Sequence, residues 1–409
     1  MRSNYKRLGD YVRQVKVKNT KGLYDLLLGI NIDKYFMPSV ANVVGTNLNR
    51  YKVVKKNQFA CNRMHVGRDY RIPMALSDKE NPFIVSPAYT VFEILDESHL
   101  LPEYLMMWFS RPEFDRECWF HTDADVRGGL PWDLLCDVEL PIPSIEKQQE
   151  IVNEYNTIVN RIKLNEQLNQ KLEETAQALY KHWFVDFEFP SEEGKPYKTS
   201  GDKMVYNEEL DKEIPEGWVD KSFTNELRIN GGGTPKTGKP EYWNGSIPFF
   251  TPKDVNDFYF TMKTEKYLTE LGLSNCSSKL YEEDTIFITA RGTVGAISLA
   301  GQKMAMNQSC YAFIEPNHFQ YYGHQLALRS IYELKEGAVG AVFKALVTKD
   351  FNHKSIVSPK IKVKKKFNER VSPIYLQMKI LVEQNIYLFE MKNILLAKMT
   401  KVEEKNLAK

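Results

Sequence analysis

The sequence predicts an α/β (α+β) protein in which two mixed domains are separated by two long antiparallel coiled-coil helices with pseudo-twofold symmetry. Twice along the chain, a mixed, aromatic-rich segment precedes a long charged segment whose apolar residues recur every three or four positions. Residues 59–67 (FACNRMHVG) and 287–295 (FITARGTVG), 228 positions apart, also share Phe, Arg, Val and Gly in register. A chain of 409 residues is too long to fold around a single hydrophobic core, which indicates more than one domain. A duplicated chain of this kind suits a two-part target such as DNA.

Composition limits the class of protein. Apolar residues make up 43% of the chain, which is ample for globular packing, and the formal net charge of +2 excludes a strongly basic DNA-coating protein while leaving room for a local basic patch. No apolar run is long enough to span a membrane, and the N-terminus has no apolar signal segment, so we expect a cytoplasmic protein. Five scattered cysteines without a CxxC pair predict reduced, buried thiols: Cys61, Cys118, Cys136, Cys276 and Cys310.

The first mixed domain is predicted over residues 1–143. Short apolar runs separated by Asn, Gly and Pro predict strands within residues 23–30, 51–54, 83–94 and 137–143. A helix is predicted over residues 101–109, where LPEYLMMWF begins with a proline in its first turn.

The first long helix is predicted over residues 144–190, because Ser144 can cap it and neither Gly nor Pro occurs before Pro190. Two heptad series indicate a coiled-coil pairing rather than a lone surface helix: Ile151, Ile158, Asn165, Leu172, Leu179, and Tyr155, Ile162, Asn169, Ala176, Trp183. Asn165 and Asn169 are either buried in the seam, where they fix register, or turned to solvent because the seam drifts.

A polar connector at residues 191–215 leads to the second mixed domain, residues 216–359. Strands are predicted within residues 246–251, 284–290, 295–300 and 309–315, and a helix over residues 324–335. The second long helix is predicted within residues 360–409. Two adjacent heptad series form a wide apolar stripe on it, which indicates contact with more than one partner helix. The series are Ile374, Leu381, Leu388, Leu395, Val402, and Tyr375, Val382, Phe389, Leu396.

No pattern in the sequence indicates a catalytic centre. Residues 233–239 match the GxxxxGK skeleton of a phosphate-binding loop, but Pro240 replaces the magnesium-binding Ser or Thr, so we expect a structural or DNA-facing loop. The chain has no Asn-Pro-Pro-aromatic tetrad or Gly-rich cofactor loop of an adenine methyltransferase, and its seven histidines show no metal-binding spacing. The sequence therefore predicts a noncatalytic protein.

Candidate DNA contacts are Arg, Lys, Asn, Gln and Thr residues beside glycines. Arg can bond guanine O6 and N7, Asn and Gln can read adenine, and Lys neutralises phosphate. The candidates are Arg63, His65, Arg68, Arg127, Lys253, Asp254, Arg291, Thr293, Asn307, Gln308, Lys344 and Lys349. The competing interpretation is that Arg63 and Arg291 form a structural ion pair repeated in each domain. The lysine run at residues 360–366 either touches the DNA backbone or is a solvated helix entrance.

A chain of motifs resembles the specificity subunit of type I restriction-modification enzymes. The most distinctive motif is residues 178–188 (ALYKHWFVDFE), followed by residues 214–218 (IPEGW) and by GGTP at residues 232–235. Residues 251–254 (TPKD), Arg291-Gly292 and Asn307-Gln308 continue the resemblance, and Pro141-Ile142-Pro143 with Gln148-Gln149 resembles the family's junction between domain and helix. The second junction departs from it, since Ser358-Pro359 and a lysine-rich run replace the Pro-x-Pro and Gln-Gln pairs.

The resemblance implies that the mixed domains are target-recognition domains, each reading one half of a bipartite double-stranded DNA site across a spacer that the helices fix. It implies that the helices dock two methyltransferase subunits, which use S-adenosylmethionine to methylate adenine. Motor and endonuclease subunits using ATP and Mg would complete a restriction complex, and this chain would itself bind no cofactor. The alternatives are a methyltransferase or NTPase in its own right, and a coiled-coil adaptor with no DNA role.

Overall fold

The computed structural model describes residues 5–40, 45–64, 66–122, 128–337 and 345–401. The chain forms two compact units, the first made of residues 1–162 with 388–409 and the second of residues 163–387. Each unit therefore combines one mixed domain with a segment of both long helices.

The first unit holds a four-stranded antiparallel sheet in the order β2-β9-β6-β7, and β1 pairs with β10 just before the first long helix. Phe59 of β6 stacks on Phe92 of β9 with ring centroids 4.9 Å apart, at the centre of the apolar core. The strands are β1 Tyr5–Arg7, β2 Val12–Val15, β3 Leu28–Ile30, β4 Phe36–Pro38, β5 Lys52–Val54, β6 Phe59–Cys61, β7 Met74–Leu76, β8 Phe83–Val85, β9 Thr90–Ile94 and β10 Glu139–Pro141. The helices are α1 Val66–Asp69, α2 Pro102–Phe109, α3 Pro112–Phe120 and α4 Trp132–Cys136.

The second unit holds a five-stranded sheet in the order β14-β21-β18-β19-β16, in which only β16 runs parallel to its neighbour. β13 pairs with β22 just before the second long helix, and β11 with β12 forms the connector hairpin. The strands are β11 Met204–Asn207, β12 Lys212–Pro215, β13 Val219–Ser222, β14 Arg228–Gly231, β15 Trp243–Phe250, β16 Phe260–Thr261, β17 Lys266–Leu268, β18 Ile286–Thr289, β19 Ile297–Ala300, β20 Ala305–Met306, β21 Cys310–Ile314 and β22 Ser355–Ser358. The shorter helices are α6 Phe223–Glu226, α7 Glu270–Ser274, α8 Gln320–Gly337 and α9 Thr348–Asn352.

The two sheets repeat one topology. β6 lies between β9 and β7 in the first unit, and β18 lies between β21 and β19 in the second, with every pairing antiparallel. These are the strands that begin the FACNRMHVG and FITARGTVG segments. The duplication predicted from that short match therefore extends to the strand order, and the mixed α/β class is confirmed.

The long helices are α5, Ile145–Tyr180, and α10, Ile361–Lys398. None of the ten predicted heptad positions on the first helix and its continuation is exposed. Within the second unit the two helices run antiparallel, since Trp183 lies 5.5 Å from Phe367 between ring centroids while Asn165 bonds Asn385. A π-helical turn, Lys181–Val185, ends the first helix before Pro190 because Trp183 and Phe184 turn into the core.

Asn165 and Asn169 lie inside the helical seam. Their side chains are 1% and 2% exposed, and Asn165 Nδ2 donates to Asn385 Oδ1 at 2.8 Å. The interpretation that both residues face solvent is therefore wrong. A buried amide pair of this kind fixes the register of two helices at some cost in stability.

Other local predictions need correction. Only Leu28–Ile30 of residues 23–30 forms a strand, and Leu23 and Leu26 are exposed because the hairpin partner β4 reaches no further than Leu28. Phe389, placed in the apolar stripe of the second helix, is 41% exposed. The predicted helix over residues 324–335 begins four residues earlier, at Gln320.

The described residues contain neither a membrane-spanning helix nor a cluster of metal-binding side chains. No helix there is long and apolar enough to cross a membrane. Across the same residues no group of three or more His, Cys, Asp or Glu side chains could hold a metal ion. The five cysteines are unpaired thiols, four of them buried and Cys276 half-buried.

Candidate nucleic-acid interface

Three loops of the second unit meet at the edge of the sheet where β18 ends. Ala290 N–H donates to the Ser309 carbonyl at 2.8 Å, and Asn307 N–H donates to the Phe250 carbonyl at 2.9 Å. A Cβ placed on Gly292 would lie 3.6 Å from the Cβ of Pro252. These contacts bring together six of the residues predicted from sequence: Lys253, Asp254, Arg291, Thr293, Asn307 and Gln308.

The charged side chains in this cluster have different surroundings. Lys253 and Arg291 are exposed, and neither forms an ion pair with any described residue. Asp254 is turned inward, because Oδ2 accepts from the Thr251 N–H and hydroxyl, both at 2.7 Å, and Oδ1 accepts from the Glu265 N–H at 2.7 Å. Asp254 therefore shapes the loop that presents Lys253.

The two amide side chains are held through their oxygens. Asn307 Oδ1 accepts from the Ser309 backbone N–H at 3.0 Å, and Gln308 Oε1 accepts from the Thr234 hydroxyl. Asn307 is half-buried and Gln308 is exposed. Both amides thus point their NH₂ groups away from these protein partners.

A fourth loop, residues 232–239, which the sequence predicted to be a structural or DNA-facing loop, joins this edge, although none of its residues was among the candidate contacts. Gly233 N–H donates to the Met306 carbonyl at 3.0 Å, and a Cβ on Gly232 would lie only 2.0 Å from the Asn307 carbonyl oxygen, so glycine is required there. Lys236 and Lys239 are exposed on it. A three-residue 3-10 turn and β15 follow the loop, so no helix N-terminus receives a phosphate. The glycine triplet beside two lysines is the signal that identifies this loop.

The segment before α9 also reaches the edge. Leu346 N–H donates to the Ala290 carbonyl at 3.0 Å, and Lys349, on the first turn of α9, is exposed. Lys344 lies outside the described residues, as do His65 and Arg127 of the first domain.

Arg63 in the first unit occupies the sheet position that Arg291 occupies in the second. Arg63 is half-buried, its Nε donates to the Thr90 hydroxyl at 2.9 Å, and its guanidinium also donates to the Leu130 carbonyl. Neither arginine forms an ion pair with a described residue, so the described part of the chain gives no support to a repeated structural ion pair. Arg68 is exposed and pairs with its neighbour Asp69 at 2.7 Å.

A basic cluster at the same edge of the first unit was missed from sequence. Lys18 forms an isolated bridge with Lys52, whose ammonium group bonds the carbonyl of Tyr89. Burial lowers the pKa of Lys52, and the nearby positive charges of Arg63, Lys16 and Lys18 lower it further. Such a gathering of cations favours binding of an anion such as phosphate.

The lysine run at residues 360–366, at the start of the second long helix, is only partly exposed to solvent. Lys364 is buried and forms an ion pair with the buried Glu226 carboxylate, because its position on the first turn of α10 faces α6 and Tyr322. The expectation that the whole run is exposed or touches DNA is wrong at Lys364. Lys360, Lys362, Lys365 and Lys366 are exposed.

Comparison with known proteins shows what the chain is similar to. Residues 215–393 match the family described as type I restriction modification DNA specificity domain. The chain is 24% identical to the HindI specificity subunit of Haemophilus influenzae, over 96% of this chain and 97% of that one. It is 27% identical to the MjaIX specificity subunit of Methanocaldococcus jannaschii, over 72% of this chain and 67% of that one.

A solved structure agrees in fold. The type I restriction-modification S subunit from M. genitalium has a TM-score of 0.56 and 14% identity to this chain, with 98% of this chain and 96% of that one covered. These similarities extend over both mixed domains and both long helices. The chain is therefore similar, over nearly its whole length, to specificity subunits of type I restriction-modification systems.

Proposed function

We propose that this chain reads a bipartite DNA site, with each mixed domain recognising one half-site. The observation that carries the proposal is the recurrence of one sheet topology with cationic side chains at the corresponding edge: Arg291, Lys236 and Lys253 in the second unit, Lys16 and Lys18 in the first. Exposed Arg and Lys at one edge are suited to base edges and phosphates.

The long helices are proposed to fix the spacer between half-sites. The 36 residues of α5 span about 54 Å at the rise of an α-helix. Two half-sites read from one face of a duplex lie about 34 Å apart, so a rod of this length is sufficient. The buried Asn165–Asn385 bond supports a fixed register between the two helices.

The outer faces of the helices are proposed to dock two methyltransferase subunits. Several large apolar side chains remain exposed there and favour helix-to-helix contacts. They are Leu164, Leu168, Leu376, Ile380 and Tyr387 in the second unit, and Phe389, Met391 and Ile394 in the first. The methyltransferase subunits would bind S-adenosylmethionine, and the motor and endonuclease subunits would bind ATP and Mg. This chain would supply DNA recognition without catalysing a step, and it would act in the cytoplasm, where the DNA is.

Mapping of methylated adenines in cells with and without this chain tests the proposal. We expect one bipartite motif whose methylation depends on the chain. A purified complex with the methyltransferase subunits should bind that motif at moderate salt at least a hundredfold more tightly than unrelated DNA, within the usual range for specific binding. The proposal is wrong if no methylation depends on the chain and the complex binds all sequences equally.

A further inference from the structure

The exposed edge of the second unit offers hydrogen-bond donors to a ligand and few acceptors. The edge group is Lys253, Arg291, Asn307 and Gln308. Lys and Arg carry only donors. The oxygens of Asn307 and Gln308 are engaged by the protein, while their NH₂ groups have no hydrogen bond to any described residue.

The orientation of the Asn307 amide is fixed by its partner. The Ser309 backbone N–H can only donate, so the Asn307 atom 3.0 Å from it must be the oxygen. The Thr234 hydroxyl, which can donate or accept, contacts Gln308 at Oε1 in the structure and so leaves its NH₂ group facing outward. Neither amide then presents the paired donor and acceptor that a bidentate contact to adenine N6 and N7 requires.

The nearby carboxylates contribute little acceptor capacity. Both oxygens of Asp254 already accept bonds from Thr251 and Glu265. Glu265 carries an exposed carboxylate, which is the group that would accept from cytosine N4. It is joined to the edge group only through its backbone N–H to Asp254.

We infer that the second mixed domain recognises guanine in the major groove through this edge group. Guanine presents two acceptors there, N7 and O6, whereas adenine presents a donor beside its acceptor and cytosine presents a donor. The edge group can donate to both guanine atoms and meets an unfavourable donor on adenine or cytosine, whereas thymine offers it a single acceptor, O4. The inference rests on the proposed function and specifies its substrate: a half-site that contains at least one guanine read at N7.

The test uses the chain in complex with its methyltransferase subunits and the motif obtained by methylation mapping. The half-site of the second domain is the half that stays unchanged when residues 1–143 are exchanged for those of a relative. Each guanine in that half is replaced in turn by 7-deazaguanine, which lacks the N7 acceptor, and by inosine, which keeps N7 and O6. At one position we expect about tenfold or greater loss of affinity with 7-deazaguanine and little loss with inosine.

A variant of Thr234 tests whether the orientation of the Gln308 amide, rather than the positive charge of the edge group, sets the preference for guanine. Thr234→Val removes the hydroxyl that holds Gln308 Oε1, so the amide can turn and accept from adenine N6; we expect the preference for guanine over adenine at the affected position to fall severalfold. Thr199→Val, the same replacement at an exposed hydroxyl of the connector that donates to Glu188 at 3.2 Å, is the matched control and should leave the preference unchanged.

Two results would overturn the inference. One is a half-site made of A·T base pairs alone, which contains no guanine on either strand. The other is a half-site in which 7-deazaguanine is tolerated at every position. Failure of the proposed function is different, since the complex would then bind no sequence selectively and no motif would exist to modify.

Discussion

Removing the buried cation of the Lys364–Glu226 pair should destabilise the second unit strongly. Lys364→Met keeps the apolar stem of the side chain and deletes its charge. Glu226 is 2% exposed, and its carboxylate also accepts from the Tyr322 hydroxyl at 3.2 Å and the Ser358 hydroxyl at 2.9 Å. The variant therefore leaves a carboxylate in the core with its hydroxyl partners and one remaining ion-pair partner, the exposed Lys221 at 3.5 Å.

Breaking one side of a buried ion pair costs about 3–5 kcal/mol, and the remaining hydroxyl bonds place the expected loss near the lower end, about 3 kcal/mol. The double variant Glu226→Gln with Lys364→Met buries no charge, so its loss should be smaller, about 1 kcal/mol. Lys365→Met is the matched control: this neighbour is exposed, with Glu369 at 3.9 Å, and its replacement should change stability by less than about 0.5 kcal/mol.

Amide hydrogen exchange followed by mass spectrometry is the appropriate assay, because it reports each unit separately where unfolding of the whole chain is not two-state. A loss of about 3 kcal/mol corresponds to exchange about a hundredfold faster in β13 and β22, which lie beside the pair. The reasoning is refuted if Lys364→Met exchanges within threefold of the unmodified chain, or if the double variant is no more stable than the single one.

Three further outcomes are expected. Arg291→Gln should weaken DNA binding in gel-shift titrations without changing thermal stability. Arg63→Gln should lower the free energy of unfolding of the first unit by about 1–3 kcal/mol, because Arg63 bonds Thr90 and Leu130. Equal thermal stability of the two variants would contradict this difference. Burial raises the pKa of the Glu173 carboxyl to about 7 in the folded chain. The unfolded chain loses this proton near pH 4.3, so the free energy of unfolding falls as the pH rises from about 4.3 to about 7. Glu173→Gln should therefore stabilise the second unit by about 1–2 kcal/mol at pH 8 and not below pH 4, as measured by amide hydrogen exchange. An equal gain at both pH values would show that burial of the ionised carboxylate is not the reason. Asn165→Leu should destabilise the helix pair by about 1–3 kcal/mol, because Asn385 loses its partner, while the double leucine variant should recover that loss in urea titrations; a further loss would show that the amides stabilise the pair.

The sequence was informative where a periodic pattern and a buried surface coincide. The heptad series identified the helical seam, because a repeat of seven places the same face toward a partner at each turn. It left open whether Asn165 and Asn169 face that partner, and the structure shows both buried. The short duplicated segment indicated a repeat, and the structure shows that it contains a central sheet strand of each domain, since Phe59 and Phe287 both lie in fully buried strands. The strand over residues 59–61 was not predicted. Both signals are local in sequence.

Other features depended on contacts between distant residues. Arg63 and Arg291 share one sequence context, yet Leu130 and Thr90 hold the first while the second stays exposed. Lys364 looks like its lysine neighbours until Glu226 is brought beside it, 138 positions away in sequence. The amide orientation of Asn307 depends on a loop hydrogen bond that no residue pattern specifies. Helix α3 was not anticipated, because its apolar positions are few and charged residues interrupt them.

Independent reading by the two domains is the central claim, and a domain exchange tests it most directly. Residues 1–143 would be replaced by the corresponding domain of the Haemophilus influenzae relative, and methylated adenines would be mapped genome-wide for both chains. We predict a motif in which one half-site changes while the other half-site and the spacer length stay the same. A motif altered in both halves, or in neither, would contradict the claim.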